Sequence, residues 1–183
     1  MNKHVSEANS KNFDSLKVAA PITTNEALNA IVKKYQKAEF LAVDTEFLRE
    51  RTYYPQLCLI QISDGVDAVA IDPLSKQLDL KPIWELMRNQ AITKVFHAGG
   101  QDMEIFLHLM GEIPQPIYDT QIAAMVCGLG DQVGYDKLVK SMLGQDIDKT
   151  SRFTDWSKRP LSNRQIVYAL DDVIFLARLY PLM

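Results

Sequence analysis

Sulfur and imidazole are scarce in this sequence: it has two cysteines and three histidines in 183 residues. Cys58 and Cys127 lack the close spacing of metal ligands, and the histidines are scattered, which argues against a zinc site or a disulfide-stapled scaffold. Apolar neighbours make both cysteines expected buried free thiols of a reducing cytoplasm. No apolar run reaches the roughly 20 residues of a membrane span, and the N-terminus lacks the apolar segment of a secretory leader. Internal repeats and low-complexity linkers are absent. A strong charge bias is missing too: the net charge of −3 gives no bulk signal for a nucleic-acid partner.

What is present is an ordinary globular composition, 47% hydrophobic and 23% charged, of a size expected for one domain. Residues 1–17 are polar and short of aromatics, and are expected to form a flexible tail. Helical periodicity follows at 24–37, then strand-like runs at 40–47, 57–63 and 68–71. Asp64-Gly65 is a tight-turn signal that joins the last two runs as a hairpin. Helices are expected at 80–89, 101–110, 119–127, 135–143 and 162–180, with short strands at 92–96 and ending at Tyr118. Antiparallel strands followed by βα units predict an α/β fold, a mixed sheet flanked by helices, with its site at the strands' carboxyl ends.

Asp44 and Glu46 follow the apolar run Phe40-Leu41-Ala42-Val43. In a strand they share one face, about 7 Å apart. Two like charges there resist desolvation unless a cation lies between them. An all-carboxylate donor set favours Mg²⁺ or Mn²⁺. Asp102 heads a helical stripe continued by Ile105, Phe106 and Leu109, so it faces inward, while Glu104 and His108 fall on a polar stripe. In the last helix, Asp171 lies on a ridge with Arg164 and Arg178. Asp172 lies on an apolar stripe with Tyr168, Phe175 and Leu179. A metal site shared by Asp44, Glu46, Asp102 and Asp172 would resolve the cost of burying each acid. Asp119 reads as a helix N-cap.

Between Lys149 and Arg164 lie five basic residues (Lys149, Arg152, Lys158, Arg159, Arg164) and one acid, Asp155; Arg49 and Arg51 form a second basic spot. Basic surface beside an acidic pocket suits a polyanionic substrate. Arg49, Arg51, Lys149, Arg152 and Lys158 are candidate phosphate contacts, and Phe47, Tyr54 and Trp156 candidate stacking surfaces for bases.

These motifs resemble the ribonuclease D catalytic domain of the DEDD 3′→5′ exonuclease superfamily. The first is Val43-Asp44-Thr45-Glu46-Phe47, continuing from Arg51 to Gln61; the second is His97-Ala98-Gly99-Gly100-Gln101-Asp102. The third comprises Asp155-Trp156-Ser157-Lys158-Arg159-Pro160-Leu161, then Tyr168 and Asp172. The resemblance implies a ribonuclease-H-like five-stranded sheet and a catalytic domain over 18–183. It implies Asp44, Glu46, Asp102 and Asp172 as metal-ligating carboxylates and Tyr168 as the catalytic tyrosine of the tyrosine subclass. Thr45 and His97 are further candidate substrate contacts, although His97, at a strand end, reads first as a hydrogen-bonded structural residue. The resemblance implies two divalent ions, Mg²⁺ or Mn²⁺, about 3.5–4 Å apart, with Asp44 bridging them, Glu46 and Asp172 on the nucleophile side and Asp102 on the other. The expected activity is stepwise hydrolysis of 3′-terminal phosphodiesters of single-stranded or 3′-overhanging RNA, with no membrane and no obligate protein partner. A DNA exonuclease and a non-catalytic nucleic-acid-binding module are the alternatives. Full-length relatives continue into helical domains that this chain, ending at Met183, would lack.

Overall fold

The computed structural model describes residues 20–49 and 53–183. The expected tail at 1–17 and Arg51 lie outside the described residues. α1 (Asn25–Tyr35) begins at Thr24, whose hydroxyl accepts the Ala27 amide, and buries Leu28, Val32 and Tyr35. Then come β1 (Phe40–Leu48), β2 (Gln56–Ser63), β3 (Ala68–Ile71), α2 (Lys81–Arg88), β4 (Thr93–Phe96), α3 (Gly100–Met110), β5 (Ile117–Asp119), α4 (Thr120–Val126), α5 (Tyr135–Leu143) and α6 (Asn163–Leu179). The strands form a five-stranded sheet in the order β3-β2-β1-β4-β5. β1 pairs antiparallel with β2 and parallel with β4, so the sheet is mixed, as the order of runs predicts.

Helices cover both faces, which explains why β1 and β2 are apolar on both sides rather than alternating with polar residues. Leu41, Val43, Ile60 and Ile62 pack with α1, α2 and α3. Ala42 and Val95 pack with Val173, Leu176 and Ala177 of α6. A capping box in which Ser162 and Gln165 satisfy each other's amides fixes the start of α6.

Two features of β1 open a cleft at its carboxyl end. Pairing with β4 runs only from Phe40↔Thr93 to Ala42↔Val95, so Asp44 and Glu46 lie beyond the end of that ladder. The register with β2 also shifts between Glu46 and Phe47, an irregularity that re-aims side chains beside a site. The switch from antiparallel to parallel neighbours across β1 leaves a crevice there.

The β4–α3 turn is equally constrained. Ala98 adopts a left-handed φ of 54°, a strained choice for a residue with a Cβ. The Asp119 carboxylate offsets this by accepting the Ala98 and Gly99 amides, both at 3.0 Å. It also caps α4 through the Gln121 amide. A Cβ on Gly99 would sit 2.8 Å from the Phe96 Cβ, whereas one on Gly100 meets nothing within 4 Å. The first glycine is required by packing and the second is not.

Two expectations are corrected. The buried stripe of α3 ends in Met110, not Leu109, which is 42% exposed; Met110 joins the cluster that also holds Leu86, Met87 and Ile92. Cys58 is buried but Cys127 is exposed. α4 buries only Thr120 and Ala124, so the apolar residues around Cys127 face outward.

Candidate active site

A cleft of about 760 Å³ lies at the carboxyl end of β1. Asp44 and Glu46 enter it from β1, Asp102 from the first turn of α3, and Tyr168 and Asp172 from α6. Asp44, Glu46 and Asp172 each offer a carboxylate oxygen, and these atoms all lie within 4.8 Å of one another. Asp102 falls outside that set of mutually close oxygens; its carboxylate accepts a hydrogen bond from the Thr45 hydroxyl. Thr45 is buried on the α3 side of β1, and it ties the strand to the helix that carries Asp102.

Burial and crowding set the electrostatics. Burial, then the charges of Asp102, Asp172 and Glu46, hold the Asp44 carboxyl well above the usual carboxylate range. Glu46 is pushed up to about 9 by burial and by Asp172 and Asp102, against a smaller opposing pull from Arg152. Burial raises Asp172 to about 7 and Asp102 to about 6, with Tyr168 and Thr45 respectively opposing the shift by hydrogen bonding. The Tyr168 hydroxyl is itself driven up by burial and by Asp172, Glu46 and Asp44. Such a set of converging acids is stable as anions only beside compensating positive charge. All-oxygen donors at this spacing fit a hard divalent cation.

His97 donates from Nδ1 to Thr120 Oγ1 at 3.0 Å, that hydroxyl's own proton going to the Phe96 carbonyl, and its ring lies 5.0 Å from that of Tyr135. The Tyr135 hydroxyl donates to the Asp172 backbone carbonyl, bracing α6 at its acid. The His97 Nε2 atom is buried with no hydrogen-bond partner among the described residues. His97 and Tyr135 both line the cleft. Tyr135, the first residue of α5, carried no sequence signal beyond its helix start.

The expected substrate contacts divide. Phe47, Arg49, Lys149 and Arg152 line the cleft. Arg49 forms a two-pronged pair with Glu104, 2.8 Å on each arm, and Lys149 pairs with Asp136 at 2.6 Å. Arg152 has no ion pair among the described residues; its guanidinium lies 5.3 Å from the Phe153 ring centroid. Lys158 is 80% exposed and outside the cleft lining. Tyr54 stacks on His108 with ring centroids 3.9 Å apart. Trp156 is 2% exposed, packed with Cys58, Leu59 and Ile166, and its ring is not available for stacking on a base. Arg159 is a structural fork rather than surface charge. It holds Asp72 at 2.7 Å on both arms and donates to the Cys58 and Trp156 carbonyls at 2.6 and 2.7 Å. Phe153, absent from the sequence candidates, is 90% exposed at the cleft rim; its neighbour Arg152 and its place in the basic run were the signal available.

The chain matches the 3′-5′ exonuclease family over residues 19–183. It is 53% identical to the ribonuclease D of Zymomonas mobilis over 88% of this chain and 42% of that protein. With the ribonuclease D of Jannaschia it is 54% identical over 87% of this chain and 42% of that one. The chain thus spans about two fifths of the length of these relatives. Among solved structures it is similar to Escherichia coli RNase D, described as an exoribonuclease involved in structured RNA processing, with TM-score 0.84 and 43% identity over 88% of this chain and 43% of that one. It is also similar to Brucella melitensis NrnC with bound Mg²⁺, with TM-score 0.71 and 31% identity over 80% of this chain and 72% of that one.

Proposed function

The chain belongs to the 3′-5′ exonuclease family, and from that premise we propose that it is a metal-dependent 3′→5′ exoribonuclease domain releasing nucleoside 5′-monophosphates. The observation that carries this reading is the Asp44, Glu46 and Asp172 trio, with oxygens within 4.8 Å of one another, beside Tyr168 in an open cleft. These acids and Asp102 would hold Mg²⁺ or Mn²⁺, two ions on this reading. When bound, such ions supply a nucleophile at neutral pH and neutralise charge on the scissile phosphate.

The chain's own residues do the rest. Asp44, central in the cluster, faces both Asp172 and Asp102 and suits a shared ligand. Asp102, fixed by the Thr45 hydroxyl and outside the set of mutually close oxygens, suits the second position. Tyr168 lies beside Asp172, and in the metal-free fold burial and the carboxylates oppose its ionisation; its hydroxyl is placed to orient the attacking water by hydrogen bonding. Arg152 takes a substrate phosphate and the exposed Phe153 ring stacks on an unpaired base. Arg49 and Lys149 join by exchanging a surface carboxylate for a phosphate. Exposed ion pairs of this kind are worth about 0–1 kcal/mol, so the exchange is cheap. Among the described residues no helix is long and apolar enough to cross a membrane, and the free thiols fit a cytoplasmic site of action.

The test is a time course on 5′-labelled single-stranded RNA in Mg²⁺ or Mn²⁺, with a matched DNA strand and a chelator control. A ladder descending from the 3′ end, faster on RNA and abolished by chelator, is expected. Faster shortening of DNA would replace the RNA assignment, and binding without shortening in either metal would reduce the chain to a binding module.

A further inference from the structure

Gln61 occupies the middle of β2, between Ile60 and Ile62, which face the opposite side of the sheet. It is 0% exposed, and neither its carbonyl oxygen nor its amide nitrogen has a hydrogen-bond partner among the described residues. An orphaned buried polar group costs about 1–3 kcal/mol, so this residue destabilises the metal-free fold. Such a group in a largely apolar strand calls for a partner that it engages in the working state.

The register identifies that partner. Gln61 lies directly opposite Asp44 on β1 and Ala70 on β3, and residues directly opposite in an antiparallel pair project to the same face. That face is covered by α6, since Leu59 and Ala70 pack with Ile166 and Ala169. Ala70 offers no polar side-chain atom. Ser63, two residues along on the same face, already uses its hydroxyl oxygen to accept the Gly65 amide. The Asp44 carboxylate is the polar group directly opposite Gln61, where Cβ atoms are about 4.5–5.5 Å apart. The charges that crowd Asp44 include those of Asp102, Asp172 and Glu46, all acids.

We propose that Gln61 is a positioning residue for Asp44: its side-chain amide donates to the Asp44 carboxylate oxygen turned away from the metal and fixes the rotamer of that ligand. This rests on the divalent-cation reading of the cluster above. Partners of this outer kind orient metal ligands, and their loss costs about 10–100-fold in metal affinity or activity. Gln61 makes no contact with substrate on this account.

The test uses Gln61→Met, which keeps length and removes the amide, with Gln61→Leu as a second variant should the linear side chain pack poorly. Melting temperature is measured in chelator and across a Mn²⁺ titration, and the Mn²⁺ dependence of RNA shortening is measured in parallel. The metal-free melting temperature should hold or rise, because an orphaned amide has gone. The half-saturating Mn²⁺ concentration should rise about tenfold in both readouts, with the KM for RNA unchanged. A lower metal-free melting temperature with an unchanged Mn²⁺ midpoint would make Gln61 a packing residue and overturn the proposal. An unchanged midpoint at unchanged stability would overturn it as well. If the wild-type chain itself shows no response to Mn²⁺, the cation reading fails and this inference goes with it.

Discussion

The two walls of the cleft are built on different principles. The acid wall is made of β1, α3 and α6, regular elements packed on both sides, and it holds Asp44, Glu46, Asp102 and Asp172 together against their mutual repulsion. The basic rim is made of Arg49, just after β1, and of Lys149 and Arg152 between α5 and α6; Arg49 and Lys149 sit on exposed, exchangeable partners. The comparison teaches a division of labour. Fixed geometry is needed where like charges must converge, and adjustable geometry suffices where a flexible polyanion has to be gripped.

The largest effect expected from breaking the acid wall is on chemistry. Asp172→Asn should lower RNA shortening on the order of a thousandfold, the upper range for removal of one key charge-stabilising group. The same change should leave the metal-free melting temperature unchanged or higher, since one buried anion is gone. A variant that lost activity by unfolding in chelator would break this contrast.

On the rim, charge alone does not define role. Arg159→Met should destabilise the fold by about 3 kcal/mol in denaturant melts, because it strands the buried Asp72 carboxylate. Lys158→Ala, four-fifths exposed, should stay within about 0.5 kcal/mol of wild type. Equal effects would mean that Arg159 is not the fork described.

Acidity sharpens the comparison further. The folded chain raises Asp102 to about 6, Asp172 to about 7 and Glu46 to about 9, mainly by burial, whereas unfolded carboxyls titrate at about 4. Between those limits the folded state holds more protons than the unfolded one, so metal-free stability should fall as pH rises from about 4 through about 9. Melts at pH 5 and pH 8.5 in chelator should show this fall, and Mn²⁺ should flatten it. A metal-free chain more stable at the higher pH would contradict the buried-acid account.

Smaller effects separate scaffold from surface. Gly99→Ala should cost about 1–3 kcal/mol through overpacking against Phe96 and displace Asp102; Gly100→Ala should be neutral or slightly stabilising. Arg152→Ala should reduce by about one the slope of log affinity against log salt for single-stranded RNA. An unchanged slope would remove Arg152 from the phosphate contacts.

The same two walls explain what the sequence made legible. Helical periodicity separates Asp172 from Asp171, because a packed helix has one apolar stripe and the acid on it must face the core; the first is buried and the second is not. Strand alternation puts Asp44 and Glu46 on one face for the same reason. Periodicity says nothing of distance, so Asp102 was legible as inward but not as falling outside the trio. Residues 145–162 have no period. Trp156 read as a stacking surface and is core, Arg159 read as surface and is a fork, and Phe153, the most exposed aromatic among the described residues, went unnoticed. At Cys127, apolar neighbours misled because a short helix on the outside of the sheet buries only one narrow side.

The most direct test of the central claim is a calorimetric Mn²⁺ titration of the wild-type chain and of Asp172→Asn at neutral pH. The account predicts saturable, chelator-reversible binding by the wild type, at two sites on the proposed reading, with the affinity of at least one lost in the variant. Equal binding by both proteins, or none by either, would mean that the converging carboxylates are not a metal centre.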